Sequence, residues 1–90
     1  YRLAEGSALI NLGAILQTQN QSQQAVDYYQ QSLTVAEQLN DPRMVSTALA
    51  GLGLGYSRLK NYAKALEYQQ KGWELAKKLG DRRLEALALS

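Results

Sequence analysis

Few residues in this chain could do chemistry. It contains no histidine and no cysteine, which removes imidazole bases, thiolate nucleophiles and most metal-ligand constellations together. Carboxylates remain: Glu37 with Asp41, and Glu74 with Asp81, are close enough in sequence to share proton-transfer work. Both pairs fall at the exposed ends of helical segments, where capping and solvation account for them, so no catalytic residue is expected. The run Gly51-Leu52-Gly53-Leu54-Gly55 has the glycine density of a phosphate-cradling loop, but such a loop needs a preceding strand, a fixed spacing and a helix amino terminus aimed at the phosphate. Neither the strand nor the spacing is there. Lys64, Lys71 and Lys78 recur every seven residues, with Lys77, Arg82 and Arg83 nearby, a stripe that could attract acidic protein, lipid headgroups or nucleic acid. Glu67, Glu74 and Glu85 interrupt it, which makes it a solvated face. The aromatic side chains Tyr28, Tyr68 and Trp73 are expected in packing positions away from the lysines. No metal and no cofactor is expected.

Whatever the chain does must therefore rest on surfaces held by its secondary structure. Ninety residues, 46% of them hydrophobic and 20% charged, with a single proline, describe an ordered chain with a modest core. Each element must lean on its neighbour. With no cysteine, nothing points to an oxidising compartment. The opening residues Tyr1 to Ser7 lack a signal-peptide layout, and no apolar run is long enough to span a bilayer. The expectation is a cytoplasmic protein with no membrane contact. Residues 1–45 carry two arginines against four carboxylates, net −2, which leaves +4 for residues 46–90 out of the total of +2. That asymmetry could attract an acidic partner, but the total is too small to imply nucleic acid, which ranks as the third functional reading.

The main signal is recurrence. Shifting the sequence by forty residues places Ala8 on Ala48, Leu9 on Leu49, Leu12 on Leu52 and Gly13 on Gly53. The match continues through Ala25 and Ala65, Tyr28 and Tyr68, Leu33 and Trp73, Ala36 and Ala76, Leu39 and Leu79, and Asp41 and Asp81. A gapless period of this size means stacked supersecondary units. Leu9, Leu12 and Leu16 share one helical face, as do Leu49, Leu52 and Tyr56; a second stripe runs through Ala25, Tyr28 or Tyr29, Leu33 and Ala36, and again through Leu66, Trp73 and Ala76. Turn residues separate the stripes at Asn20-Gln21, Asn40-Asp41-Pro42, Lys60-Asn61 and Gly80-Asp81. Asp41 and Asp81 suit helix N-caps, Pro42 suits a first helical position, and Gly80 is expected to end its helix in the left-handed conformation. Gly13 with Ala25 and Ser32, and Gly53 with Ala65 and Gly72, are placed to let paired helices approach closely. The boundaries follow: residues 1–40 form one unit (helices about 2–19 and 22–39), 41–80 a second (helices about 42–59 and 62–79), and 81–90 the first helix of a third.

Asn11-Leu12-Gly13 with Leu16, then Ala25-Val26-Asp27-Tyr28-Tyr29 and Ser32-Leu33, resembles the small, large and aromatic pattern of the tetratricopeptide repeat. Gly51-Leu52-Gly53 with Tyr56, then Tyr62 and Ala63-Lys64-Ala65-Leu66-Glu67-Tyr68, repeats it. The period exceeds the usual repeat of about thirty-four residues, and the chain is similar to the longer repeats of kinesin light chains, G-protein-signalling modulators and bacterial repeat proteins. The departures are Leu9 and Leu49 where the family often has tryptophan, and Gly72 at a usual alanine.

The resemblance implies an all-α fold, a right-handed superhelical solenoid of antiparallel helix pairs, whose first helices line a concave face that binds peptides. The family's groove positions fall on Ser7, Ile10, Asn11, Ala14, Gln17 and Thr18, and on Thr47, Ala50, Gly51, Leu54, Ser57 and Arg58. Such a groove would be shallow, with hydrogen-bonding walls and one cation at Arg58. One subset of the family grips a partner's C-terminal carboxylate with lysine, arginine and asparagine; here Ile10, Ala14 and Ala50 stand where charge or amide is needed, and only Asn11 is retained. The expected function is a non-enzymatic module that binds a peptide or protein segment within a larger scaffold or regulatory protein. The alternative is self-association through the apolar residues Leu84, Leu87, Ala88 and Leu89, giving a homo-oligomer.

Overall fold

The computed structural model describes the backbone of residues 2–89 and the side chains of residues 2–79. The chain folds as α1 (Arg2–Thr18), α2 (Ser22–Leu39), α3 (Pro42–Arg58) and α4 (Tyr62–Leu89), with no strand among the described residues. The fold is a helical repeat solenoid of helix pairs.

Three turns connect the helices by one device. Residues Asn20, Asn40 and Lys60 take positive φ values of 61°, 52° and 64°. At each, the following amide donates back across the turn: Gln21 to the Leu16 carbonyl at 2.8 Å, Asp41 to Ala36 at 3.1 Å, and Asn61 to Tyr56 at 2.9 Å. The left-handed residue itself donates to the carbonyl three positions earlier, completing a Schellman closure that satisfies the orphan acceptors of the helix end. Asparagine tolerates this conformation, whereas Lys60 adopts it against its steric preference. Asp41 then caps α3, its carboxylate accepting from the Met44 amide at 3.2 Å with Pro42 at the first helical position, and Asn61 does the same for α4 through the Lys64 amide at 3.4 Å.

The fourth expected turn is not formed. α4 runs unbroken through Gly80 and Asp81 to Leu89, so Gly80 does not end a helix and Asp81 does not cap one. The two junctions share the aspartate but differ on either side of it, Asn40 matching Gly80 and Pro42 matching Arg82; Pro42 cannot continue a helix, and Arg82 can. A glycine inside a helix costs only about 1 kcal/mol. The side chains from Gly80 onward lie outside the described residues.

The core lies between α2 and α3. Ala25, Val26, Tyr29 and Leu33 meet Ala48, Leu49 and Leu52, and Ile10, Leu16, Tyr56, Tyr68 and Leu75 pack around them. Because α2 lies against both α1 and α3, it is buried on two sides, whereas the α4 backbone approaches that of α3 alone and Ala65 is its one buried hydrophobic residue among those described. Tyr29 is the central bolt. Its ring fits against Gly13, where an added Cβ would lie 3.0 Å away, and against Gly51, where a Cβ would overlap it outright. The glycine run is thus inside α3 and serves packing: Gly51 receives Tyr29, Gly53 lies against Gln69, and Gly55 lies against Val26.

Equivalent positions are not equally covered. Leu52 is 0% exposed and Leu12, forty residues earlier, is 43% exposed, because α2 lies over α3 and no described element lies in the same place over α1. Trp73, expected in a packing position, is 64% exposed for the corresponding reason on α4.

Candidate functional site

α1 and α3 approach each other, while among the described residues the α2 and α4 backbones do not and the Tyr68 hydroxyl reaches across to donate to Gln30 Oε1 at 3.2 Å. First helices close together and second helices apart define a curved sheet of helices with α1 and α3 on the inner side.

The residues expected to line that side divide into two groups. Asn11, Ala14, Thr18, Ala50, Leu54 and Arg58 are exposed, with Ile10 and Ser57 half-buried beside them. Gln17 and Gly51 are buried. The Gln17 side-chain amide donates to the Gly51 carbonyl at 3.1 Å, and the Gln17 carbonyl accepts from Arg58 Nη1 at 3.0 Å. Gln17 therefore ties α1 to α3. Arg58 closes the same seam by satisfying a carbonyl in the last turn of α1, leaving its other donors at the groove edge. The Thr18 hydroxyl is turned back onto the Ile15 carbonyl at 2.7 Å. What is exposed or half-buried is apolar at Ile10 and Ala14 on α1 and at Ala50 and Leu54 on α3, the latter two lining a shallow cleft with Trp73 and Ala76 of α4, with polar groups at Asn11, Ser57 and Arg58.

Among the described residues, no cluster of histidine, cysteine, aspartate or glutamate has metal-binding geometry. Asp41 is occupied as a cap, and Glu37 lies near it on the rim of a shallow depression with Asn40, Pro42, Val45 and Leu75. The basic stripe differs from expectation. The lysines do meet aromatic rings: Lys64 lies 5.3 Å from the Tyr56 centroid, Lys71 5.5 Å from Tyr68, and Lys77 5.3 Å from Trp73, while Tyr56 and Tyr68 stack at 5.6 Å. Lys71 also pairs with Glu67 at 3.5 Å. These contacts engage the cations within the molecule. The spacings of three residues between Tyr68 and Lys71 and four between Trp73 and Lys77 signal two of these contacts in the sequence, but Tyr56 comes from another helix and is brought under Lys64 only by folding.

Sequence reading missed the apolar faces that the fold leaves uncovered: Leu12 and Ile15 on α1, at 43% and 53% exposure, and Leu66 and Trp73 on α4, at 65% and 64%. The signal that could have found them is the repeat itself, since these positions match Leu52 and Gly55 on α3 and Val26 and Leu33 on α2. The residues Leu84, Leu87, Ala88 and Leu89, expected to mediate self-association, have side chains outside the described residues. No described helix is long and apolar enough to cross a membrane.

Two family models described as tetratricopeptide repeat match the chain, one over residues 8–43 and one over residues 45–79. No curated protein matches it.

Proposed function

Since the chain belongs to the tetratricopeptide repeat family, whose repeats generally mediate protein–protein interaction, we propose that it binds a peptide or protein segment on the surface formed by α1 and α3, as a non-enzymatic element of a scaffold or regulatory protein. The observation that carries this reading is the paired exposure of Leu54 and Asn11 on adjacent helices. An apolar centre flanked by an uncommitted amide suits an extended segment that buries one side chain and hydrogen-bonds through its backbone. Arg58 adds a positive edge and favours ligands with a carboxylate at that side. Gln17 serves by fixing the spacing of α1 and α3, and an available lysine-arginine-asparagine clamp for a terminal carboxylate is not part of the surface. A cytoplasmic setting suits such a module. Self-association in the form expected from residues 84–89 gains no support from the described side chains.

The test starts with selection of a random peptide display library on the immobilised chain, followed by anisotropy titration of the selected peptides. Leu54→Glu should weaken binding by about tenfold or more, equivalent to about 1.4 kcal/mol, and Asn11→Ala by a smaller factor. Glu67→Gln, on the outer helix, should change nothing. Peptides that bind Leu54→Glu and Asn11→Ala as tightly as the parent would end the groove reading.

A further inference from the structure

We infer that the Tyr29 hydroxyl is a recognition group of the α1–α3 surface, donating a hydrogen bond to a backbone carbonyl of the bound segment where that segment crosses between the two helices. The inference rests on the reading of that surface as the ligand site.

Tyr29 belongs to α2, an outer helix, yet its ring ends between the inner pair. One edge of the ring, through Cδ2, Cε2 and Cζ, lies along Gly13 of α1, and the other, through Cδ1, Cε1 and Cζ, lies along Gly51 of α3. Cζ carries the hydroxyl and is close to both glycines, so the hydroxyl stands at the level of the α1 and α3 backbones, on the side of the ring away from α2. Only 5% of the residue is exposed. The hydroxyl takes part in none of the hydrogen bonds made by the described side chains. Among those side chains, Ser32 Oγ is the one fully enclosed polar atom left without a partner. The Tyr29 hydroxyl is therefore neither bonded nor sealed in, and with α2 behind the ring its opening is towards the inner surface.

The other polar groups along the same seam are committed. The Gln17 amide donates to the Gly51 carbonyl, the Gln17 carbonyl accepts from Arg58, and the Thr18 hydroxyl donates to the Ile15 carbonyl. At the other end of the seam, the Met44 side chain fills the space beside Gly6. These contacts hold α1 and α3 at a fixed separation and the phenol in a fixed slot, so a ligand that meets the hydroxyl orders nothing further. Its chemistry selects an acceptor. Burial holds the phenol above its ordinary value of 10.0, so it keeps its proton through the neutral range and donates. Glycine flanks it on both sides, no side chain at those two positions screens it, and the main chain of an extended segment can come near enough to set a carbonyl on it.

The experiment uses peptides selected on the immobilised parent chain. Tyr29→Phe keeps the ring in its slot and removes only the hydroxyl, so its circular dichroism should match the parent's. It should bind these peptides about fivefold more weakly, the net effect of one neutral hydrogen bond. Tyr62→Phe, at an exposed phenol where α4 begins, should bind as the parent does. In the parent labelled with carbon-13 tyrosine, the Tyr29 Cζ resonance should move saturably on peptide addition and the Tyr62 resonance should stay, a readout that needs no substitution. A thioamide placed at successive peptide positions should weaken binding to the parent at one position and leave binding to Tyr29→Phe unchanged there, which identifies the carbonyl. If Tyr29→Phe binds as tightly as the parent while Leu54→Glu still weakens binding, this inference is overturned and the groove reading stands. A Tyr29 Cζ resonance that does not move at saturation, or a thioamide scan that never distinguishes the parent from Tyr29→Phe, overturns it as well. Binding insensitive to Leu54→Glu and Asn11→Ala removes the groove reading, and this inference with it.

Discussion

At the level of single residues, glycine carries two opposite meanings in this chain. Gly51 is a seat: any Cβ there overlaps the Tyr29 ring, which is held between α1 and α3 and cannot retreat. Gly72 is only an absence, since a Cβ there meets nothing nearer than the Leu49 Cβ at 3.6 Å, an ordinary contact. Gly51→Ala should therefore destabilise by about 1–3 kcal/mol through overpacking, and Gly72→Ala should stabilise by roughly 0.5–1 kcal/mol through helix propensity. Urea unfolding of the two variants beside the parent reads both signs. Tyr29 makes a further prediction. Burial, with only 5% of the residue exposed, pushes its phenol above the ordinary value. A phenol whose folded pKa is raised is neutral in both states below the unfolded value of about 10, so its contribution to stability is intact there. It is lost as pH rises through the higher folded value, because the unfolded chain ionises more readily. Urea midpoints should fall more steeply in the parent than in Tyr29→Phe as pH rises from the unfolded value of about 10 towards the raised folded value.

At the level of the element, the chain relies on its turns more than on helix propensity. α3 contains three interior glycines, each costing roughly 1 kcal/mol relative to alanine, so its existence depends on its cap and on the helices against it. Asp41→Ala removes the acceptor for the Met44 amide and should cost about 1 kcal/mol. The loss should appear as a lower thermal midpoint with the helical content of the folded state unchanged. The contrast between Pro42 and Arg82 explains why one helix stops after Leu39 while α4 continues past Gly80. At this junction Pro42 forbids a continued helix, whereas Gly80 merely disfavours one.

At the scale of the molecule, stability and recognition both follow from where a repeat is covered. Leu52 and Leu12 have the same residue type and repeat position, yet one is 0% and the other 43% exposed. Leu52→Ala should cost about 2–5 kcal/mol, as expected for a buried leucine, and Leu12→Ala under about 1 kcal/mol, both measured in dilute solution by chemical unfolding. Equal losses at the two sites would show that α1 is covered in solution by something beyond the described residues. The same asymmetry leaves apolar residues of α1 and α4, such as Leu12 and Trp73, exposed among the described residues.

The helical periodicity, the recurrence at forty residues and the turn residues by themselves determined the first three helices and the start of the fourth, the interior placement of the glycine run and the cap at Asp41, but not the continuation of α4 through the expected fifth helix. These are local properties, set by spacing, backbone sterics and hydrogen bonding within a few residues. Tertiary structure decided which members of each repeat are buried, because burial depends on the neighbouring helix and identical sequence positions have different neighbours. It also turned Gln17 from a surface residue into a tie between α1 and α3, and brought Tyr56 and Tyr68 from separate helices beneath lysines expected in water. Such pairings span elements, and a one-dimensional period carries no information about the distance between them.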